Sequence, residues 1–187
     1  MRKLILIRHS AVTKNPSIPP HQWRLSAVGR TRAQALAAHI APYHPTRFIT
    51  SDAHKAVETG QIIATALAKP CLPAPGLQEH NRDGVPYFPS QAEFEAALIR
   101  LFEQPGELVH GQETADQTRT RFTQTIHTLL SHYPDDTLAI VTHGTVLTLF
   151  LTHHNPHLDP LPFWRSLKLP DFVVVTLPQM TLLPIDN

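Results

Sequence analysis

The chain has 187 residues, 42% hydrophobic and 17% charged, proportions that suit one globular domain with a substantial core and argue against disorder. Sixteen basic side chains against fifteen acidic ones leave a formal charge of +1, so no global field favours nucleic acid or an anionic membrane, and any anion site has to be local. One cysteine, Cys71, rules out an intrachain disulfide framework, and no apolar stretch approaches the ~20 residues of a membrane span, so the expectation is a cytoplasmic protein.

"LILIRHS", residues 4–10, is an apolar run that delivers Arg8 and His9 with no turn residue between; residues 3–7 read as a buried strand. Ser26 then precedes "AVGRTRAQALAAHIAP", which predicts a serine-capped helix over 27–41 with Ala33, Leu36, Ala37 and Ile40 on its apolar face and Pro42 as its stop. "RFIT" leads into a second helix over 53–68, with Ser51 or Asp52 as cap and Pro70 at its end. Helical composition returns over 91–103 and 113–133. "LAIVTHGTVL" places a β-branched strand over 138–141 before His143, and Gly144 opens a helix through Phe150; "FVVVTL", 172–177, reads as a further strand. Eighteen prolines, about twice the usual ~5%, fall in the joints between these segments and indicate stiff loops within a single domain over 1–187.

Strands alternating with helices predict a three-layer α/β/α sandwich with a mostly parallel central sheet. Ligands of such sheets bind beyond the carboxyl ends of the strands, which is where Arg8, His9 and His143 fall. If their strands are neighbours, the two histidines meet. Gly144 would then let backbone approach closely, and the helix N-terminal amides beside it are available to an anion.

"LIRHS" together with "VTHG" resembles the histidine phosphatase superfamily, the phosphoglycerate-mutase-like enzymes. "WRLSAVGRTRAQALA", "GQETADQTRTRF" and "FWRSLKLPDFVVVTL" are similar to further family segments in the same order, so the resemblance spans nearly the whole chain. It implies His9 as the nucleophile that takes the phosphoryl group, Arg8 and His143 as ligands of its oxygens, and Glu79 as the acid that protonates the leaving oxygen and then the base toward water. Three positions depart from the family pattern. Ser10 replaces a glycine, Lys55 stands where the family has its second arginine, and "EHNRDGVPYF" replaces the usual continuation after the acid. Lysine keeps the charge but loses the planar fork that grips two oxygens, so a weakened phosphate clamp is expected, with His54 as a substitute donor. Asn15 is a further candidate for the phosphate, and Arg82 and His80 are either contacts for a second anionic group or solvated loop charges.

The physics of these roles stands beside the resemblance. A neutral imidazole attacks phosphorus without metal activation, a carboxylic acid with a raised pKa suits the leaving-group side, and preorganised cations stabilise the equatorial oxygens. Other residues have plainer readings: Glu113 as a capping or structural carboxylate, Trp23 and Trp164 as packing, and "HHNPH", 153–157, as a solvated loop and not a metal site. The expected activity is therefore metal-independent hydrolysis of a small phosphorylated metabolite, with no cofactor and with a lid-like helical insertion around 84–109 carrying selectivity. Two alternatives remain: a phosphoglycerate-type mutase, and a non-catalytic phospho-ligand binder with a decayed clamp. Oligomeric state is not legible.

Overall fold

The computed structural model describes residues 2–184; the outermost residues of the expected domain, 1 and 185–187, lie outside the described residues. In chain order the elements are β1 (Lys3–Arg8), α1 (Ala27–Ile40), β2 (Arg47–Thr50), α2 (His54–Ala66), β3 (Cys71–Pro73), α3 (Gln91–Glu103), α4 (Ala115–His132), β4 (Leu138–Thr142), α5 (Gly144–His154), α6 (Pro160–Ser166), β5 (Asp171–Thr176) and β6 (Thr181–Leu182). The six strands form one sheet in the order β3-β2-β4-β1-β5-β6. β3, β2, β4 and β1 run parallel, whereas β5 and β6 extend the sheet antiparallel.

The period of two along β1 sets the layers. Leu4 and Leu6 face a core shared with Phe122 and Ile126 of α4 and with Val146, Leu147 and Phe150 of α5. Ile5 and Ile7 face the opposite way, into a core with Ala33, Ala37 and Ile40 of α1 and Ala56 and Ile63 of α2. Helices thus cover both faces, which explains why β4 is buried at every position and reads as an unbroken apolar run. A third, smaller cluster joins Leu98 and Leu101 of α3 to Ala115, Leu149 and Trp164, fastening α3 beside α6.

Local chemistry sets the ends of the helices. The Ser26 hydroxyl accepts the Gly29 amide at the start of α1, as expected, a cap worth about 1 kcal/mol. α4 begins on a capping box in which Thr114 and Gln117 satisfy each other's backbone, so Glu113 is freed from capping. The expected cap of α2 is a correction: Ala53 occupies that position and no side chain caps the helix. β3, β6 and α6 lie outside the sequence reading, because two- and three-residue edge strands and a seven-residue helix are too short to display a period.

Candidate active site

The parallel register of β1 on β4 pairs Ile7 with Val141 and Arg8 with Thr142, so His9 and His143 are the next residues on two adjacent strands. The His9 amide donates to the Thr142 carbonyl at 2.9 Å, and the two imidazoles meet edge to face with centroids 5.2 Å apart. The neighbouring strand contributes in the same way. β2 pairs Thr50 with Val141, and Ser51, the residue after its end, lies with its hydroxyl 2.9 Å from His143 Nε2. Three consecutive strand ends therefore build the base of the site, and Ser51, which the sequence reading assigned to a helix cap, contacts His143 there without itself lining the cavity. The available signal was its offset from "RFIT", the same as that of His9 and His143 from their own runs.

His9 Nδ1 lies 2.8 Å from the Ser10 carbonyl. A carbonyl only accepts, so Nδ1 carries the proton and the Nε2 lone pair is free. Burial, and then the charge of Lys55, hold the His9 pKa well below the ordinary imidazole value, which keeps the ring neutral near pH 7. His143 is lowered in the same way, by burial first and then by Lys55 and Arg82. Ser10 in place of glycine is absorbed without strain: its side chain donates to the Gly29 carbonyl at 2.7 Å and its amide to Thr59 Oγ1 at 3.0 Å.

Arg8 runs under the start of α5. Its Nη1 donates to the Leu167 carbonyl at 2.6 Å, and its guanidinium carbon stands 5.5 Å from the centroid of Trp164. A β-carbon on Gly144 would sit 3.0 Å from Arg8 Cζ and 3.1 Å from Trp164 Nε1, so glycine here is a close-approach requirement between helix start and guanidinium.

Glu79 takes the place at the α5 N-terminus that an exogenous anion was expected to take. Its carboxylate accepts the amides of Thr145 at 3.0 Å, Val146 at 2.8 Å and His80 at 3.0 Å. Burial alone would raise its pKa, but the charge of Arg82 and these three amides outweigh it and lower the value, so Glu79 is ionised at neutral pH. The raised carboxyl that acid catalysis favours is not what the resting site holds. The segment that carries Glu79 is pinned by Arg121, which donates to the carbonyls of Gly76, Gln78 and Glu79 and pairs with Glu113; Glu113 is structural, as expected.

The other candidates divide. Lys55 is buried and lines the cavity, yet its ammonium donates to the Pro20 carbonyl at 3.1 Å, and burial pushes its pKa down to about 8. Asn15 is not brought to the site: it is exposed, and its side-chain oxygen accepts the Ser17 amide. His54 is likewise exposed and lies against the Gln22 carbonyl, so it supplies no substitute donor. Trp23 and Trp164 are buried packing residues that also wall the cavity. In the 153–157 stretch, Asn155 departs from the expected solvated loop: it is buried and holds Leu182 and Met180.

All of this surrounds a cavity of about 1040 Å³ whose floor is His9, Arg8, His143 and Gly144, and whose outer wall is aromatic, with Tyr87, Phe88 and Phe94 facing Trp23 and Trp164. Among the described residues no group of three or more His, Cys, Asp or Glu side chains converges as a metal site, and no helix is long and apolar enough to cross a membrane.

Comparison with solved structures finds the same fold repeatedly. Bacillus stearothermophilus YhfR superposes with a TM-score of 0.77 at 19% identity, over 97% of this chain and 94% of the other. A mycobacterial glucosyl-3-phosphoglycerate phosphatase gives 0.73 at 18% identity over 92% and 89%. The phosphoserine phosphatase of Entamoeba histolytica, in complex with 3-phosphoglyceric acid, gives 0.75 at 16% identity over 98% and 94%. No curated protein sequence matches the chain. The profile of the histidine phosphatase superfamily (branch 1) matches residues 4–177, and the chain belongs to that superfamily.

Proposed function

We propose that the protein is a phosphomonoesterase that works through a phosphohistidine on His9. The observation that carries the reading is the state of that ring: neutral, with Nδ1–H committed to the Ser10 carbonyl and Nε2 unprotonated beside His143 and the cavity cations. Nε2 attacks phosphorus, the P–N bond forms as the P–O bond to the leaving group breaks, and the leaving oxygen takes a proton from Glu79. Water then gives a proton to Glu79 as its oxygen attacks the phosphohistidine, the P–N bond breaks, and inorganic phosphate leaves.

Glu79 must be protonated for the first step, although it is ionised at rest. A bound phosphoryl dianion raises its pKa by like-charge repulsion, so proton uptake is coupled to substrate entry. Arg8 and His143 hold the equatorial oxygens, Gly144 keeps the guanidinium close, and Lys55 adds charge once substrate draws its ammonium from Pro20. The substrate is a small phosphorylated metabolite, with residues 84–109 as the lid that reads its leaving group; no metal enters the written steps.

The structural neighbours support this reading, since their names include phosphatases for glucosyl-3-phosphoglycerate and phosphoserine. One observation favours a second reading, a phospho-ligand binder without turnover: three backbone amides hold Glu79 in its ionised state. Hydrolysis of an aryl phosphate in the presence of chelator, followed by mass detection of an acid-labile phosphate on His9, separates the two. His9→Ala is expected to lose activity by about ten-thousand-fold or more. A wild type that binds phosphate but neither hydrolyses a panel of phosphomonoesters nor forms the adduct would leave the binder.

A further inference from the structure

We infer that Arg82 is a direct ligand of the phosphoryl group in this cavity. The other cations are partly committed. Arg8 donates to Leu167, Lys55 donates to Pro20, and Arg121 is spent on three carbonyls and Glu113. Lys14 reaches only the exposed rim. Arg82 lines the cavity and, among the described residues, gives no hydrogen bond to an acceptor and pairs with no carboxylate. A guanidinium carries five N–H donors, and none of those on Arg82 is sealed from the cavity, so all of them stay available to an acceptor that comes from outside.

Its setting is built to hold it there. The Asn81 amide donates to Glu113 Oε1 at 2.9 Å, and the Asn81 carbonyl accepts the Gln112 amide at 2.9 Å. Gly111, at φ +84, allows that approach: a β-carbon there would collide with the Asn81 carbonyl and come within 3.2 Å of Arg82 Cα. On the side-chain end, Arg82 Cζ lies 4.9 Å from the centroid of Phe94, so α3 props the guanidinium against the lid side of the cavity. Backbone anchors at one end and an aromatic ring at the other restrict the side chain before any ligand arrives.

Its place in the cavity points to the phosphoryl group, since Arg82 shares the lining with His9, His143 and Lys55. Glu79, Lys55 and His143, which line the same cavity, all respond to the Arg82 charge, in keeping with that placement. Its planar fork suits two phosphoryl oxygens, a geometry that the ammonium of Lys55 does not offer. The inference rests on the proposed function only for the identity of the anion.

Titration with inorganic phosphate tests it without requiring turnover. Arg82→Gln is expected to weaken phosphate binding about 10- to 100-fold, the size of a lost charge-assisted contact, and Arg82→Lys to recover part of the loss. Thermal unfolding of Arg82→Lys without phosphate should stay close to that of the wild type, because the charge beside Glu79 is kept, and a loss of phosphate binding in Arg82→Gln is read on protein shown to be folded at the temperature of the titration. Unchanged phosphate affinity in Arg82→Gln overturns the inference, including the case in which only substrates with a second anionic group lose affinity. A wild type that binds no phosphate at millimolar concentration overturns it as well. A wild type that binds phosphate through Arg82 yet hydrolyses nothing keeps the inference and removes the phosphatase reading.

Discussion

The floor of the cavity and its outer wall are built by different means. At the base of the site, His9, Ser51 and His143 follow three parallel strands whose ladder pairs place them side by side, and all three are buried. A slip of one residue in register would turn them away from one another and expose the core, so hydrophobic burial itself holds their geometry. The wall, residues 80–110, has one helix, an exposed Tyr87, and aromatic rings held mainly by each other and by Trp164. It is anchored by the small cluster of Leu98 and Leu101 beside Trp164 and by individual polar contacts such as Asn81 to Glu113, both apart from the two cores that hold the sheet. On the proposed function, chemistry is thereby tied to what the fold cannot change, and selectivity to what it can.

The comparison breaks most severely at Gly144. Gly144→Ala puts a β-carbon against Arg8, and displacing that guanidinium is expected to lower kcat/KM about 100-fold with little change in Tm. Steady-state kinetics alongside thermal unfolding checks this; an unchanged kcat/KM would mean that Arg8 and Trp164 yield the few tenths of an ångström required and that glycine is not needed at 144.

A smaller effect is expected where floor and wall share a charge. Lys55 has its pKa pushed from 10.5 down to about 8 by burial, so rising pH neutralises it just above physiological values. kcat/KM should fall about tenfold between pH 7 and pH 9, and Lys55→Arg, which stays charged, should flatten that limb and match or exceed the wild-type rate at pH 7. A limb that persists in Lys55→Arg assigns the ionisation elsewhere. The stability sign is opposite: between about 8 and 10.5 the unfolded chain holds a proton on Lys55 that the folded chain has released, so this group's contribution to stability rises with pH across that window.

The least drastic change belongs to the wall alone. Phe94→Ala is expected to raise KM for a bulky aryl phosphate severalfold, because the ring lines the cavity wall, and to weaken inhibition by inorganic phosphate by less than Arg82→Gln does, because the ring also props Arg82. Loss of phosphate affinity as large as that of Arg82→Gln would show that the ring alone keeps Arg82 in place.

Some of this was legible in the residue order alone. Apolar runs ending in Arg8–His9 and His143–Gly144, with helical periods between them, identify an α/β sheet with chemistry at its strand ends, because burial on both faces leaves continuous hydrophobic strands and polar residues only where they stop. The same rule applied to "RFIT" would have found Ser51. Other features depended on contacts between distant segments. Asn15, in the loop after β1, and His54, on the outer side of the first turn of α2, are both exposed and fall outside the cavity, and Glu79 is ionised because the amides of α5, far along the chain, converge on it. Arg82 reads in one dimension as either a contact for a second anionic group or a loop charge, and becomes an unpaired cation of the cavity only once Glu113, Gly111 and Phe94 have set its backbone and ring neighbours. Strand period and register follow from side-chain chemistry taken locally, whereas the ionisation and availability of a polar group depend on every donor, acceptor and charge that folding brings within a few ångströms of it.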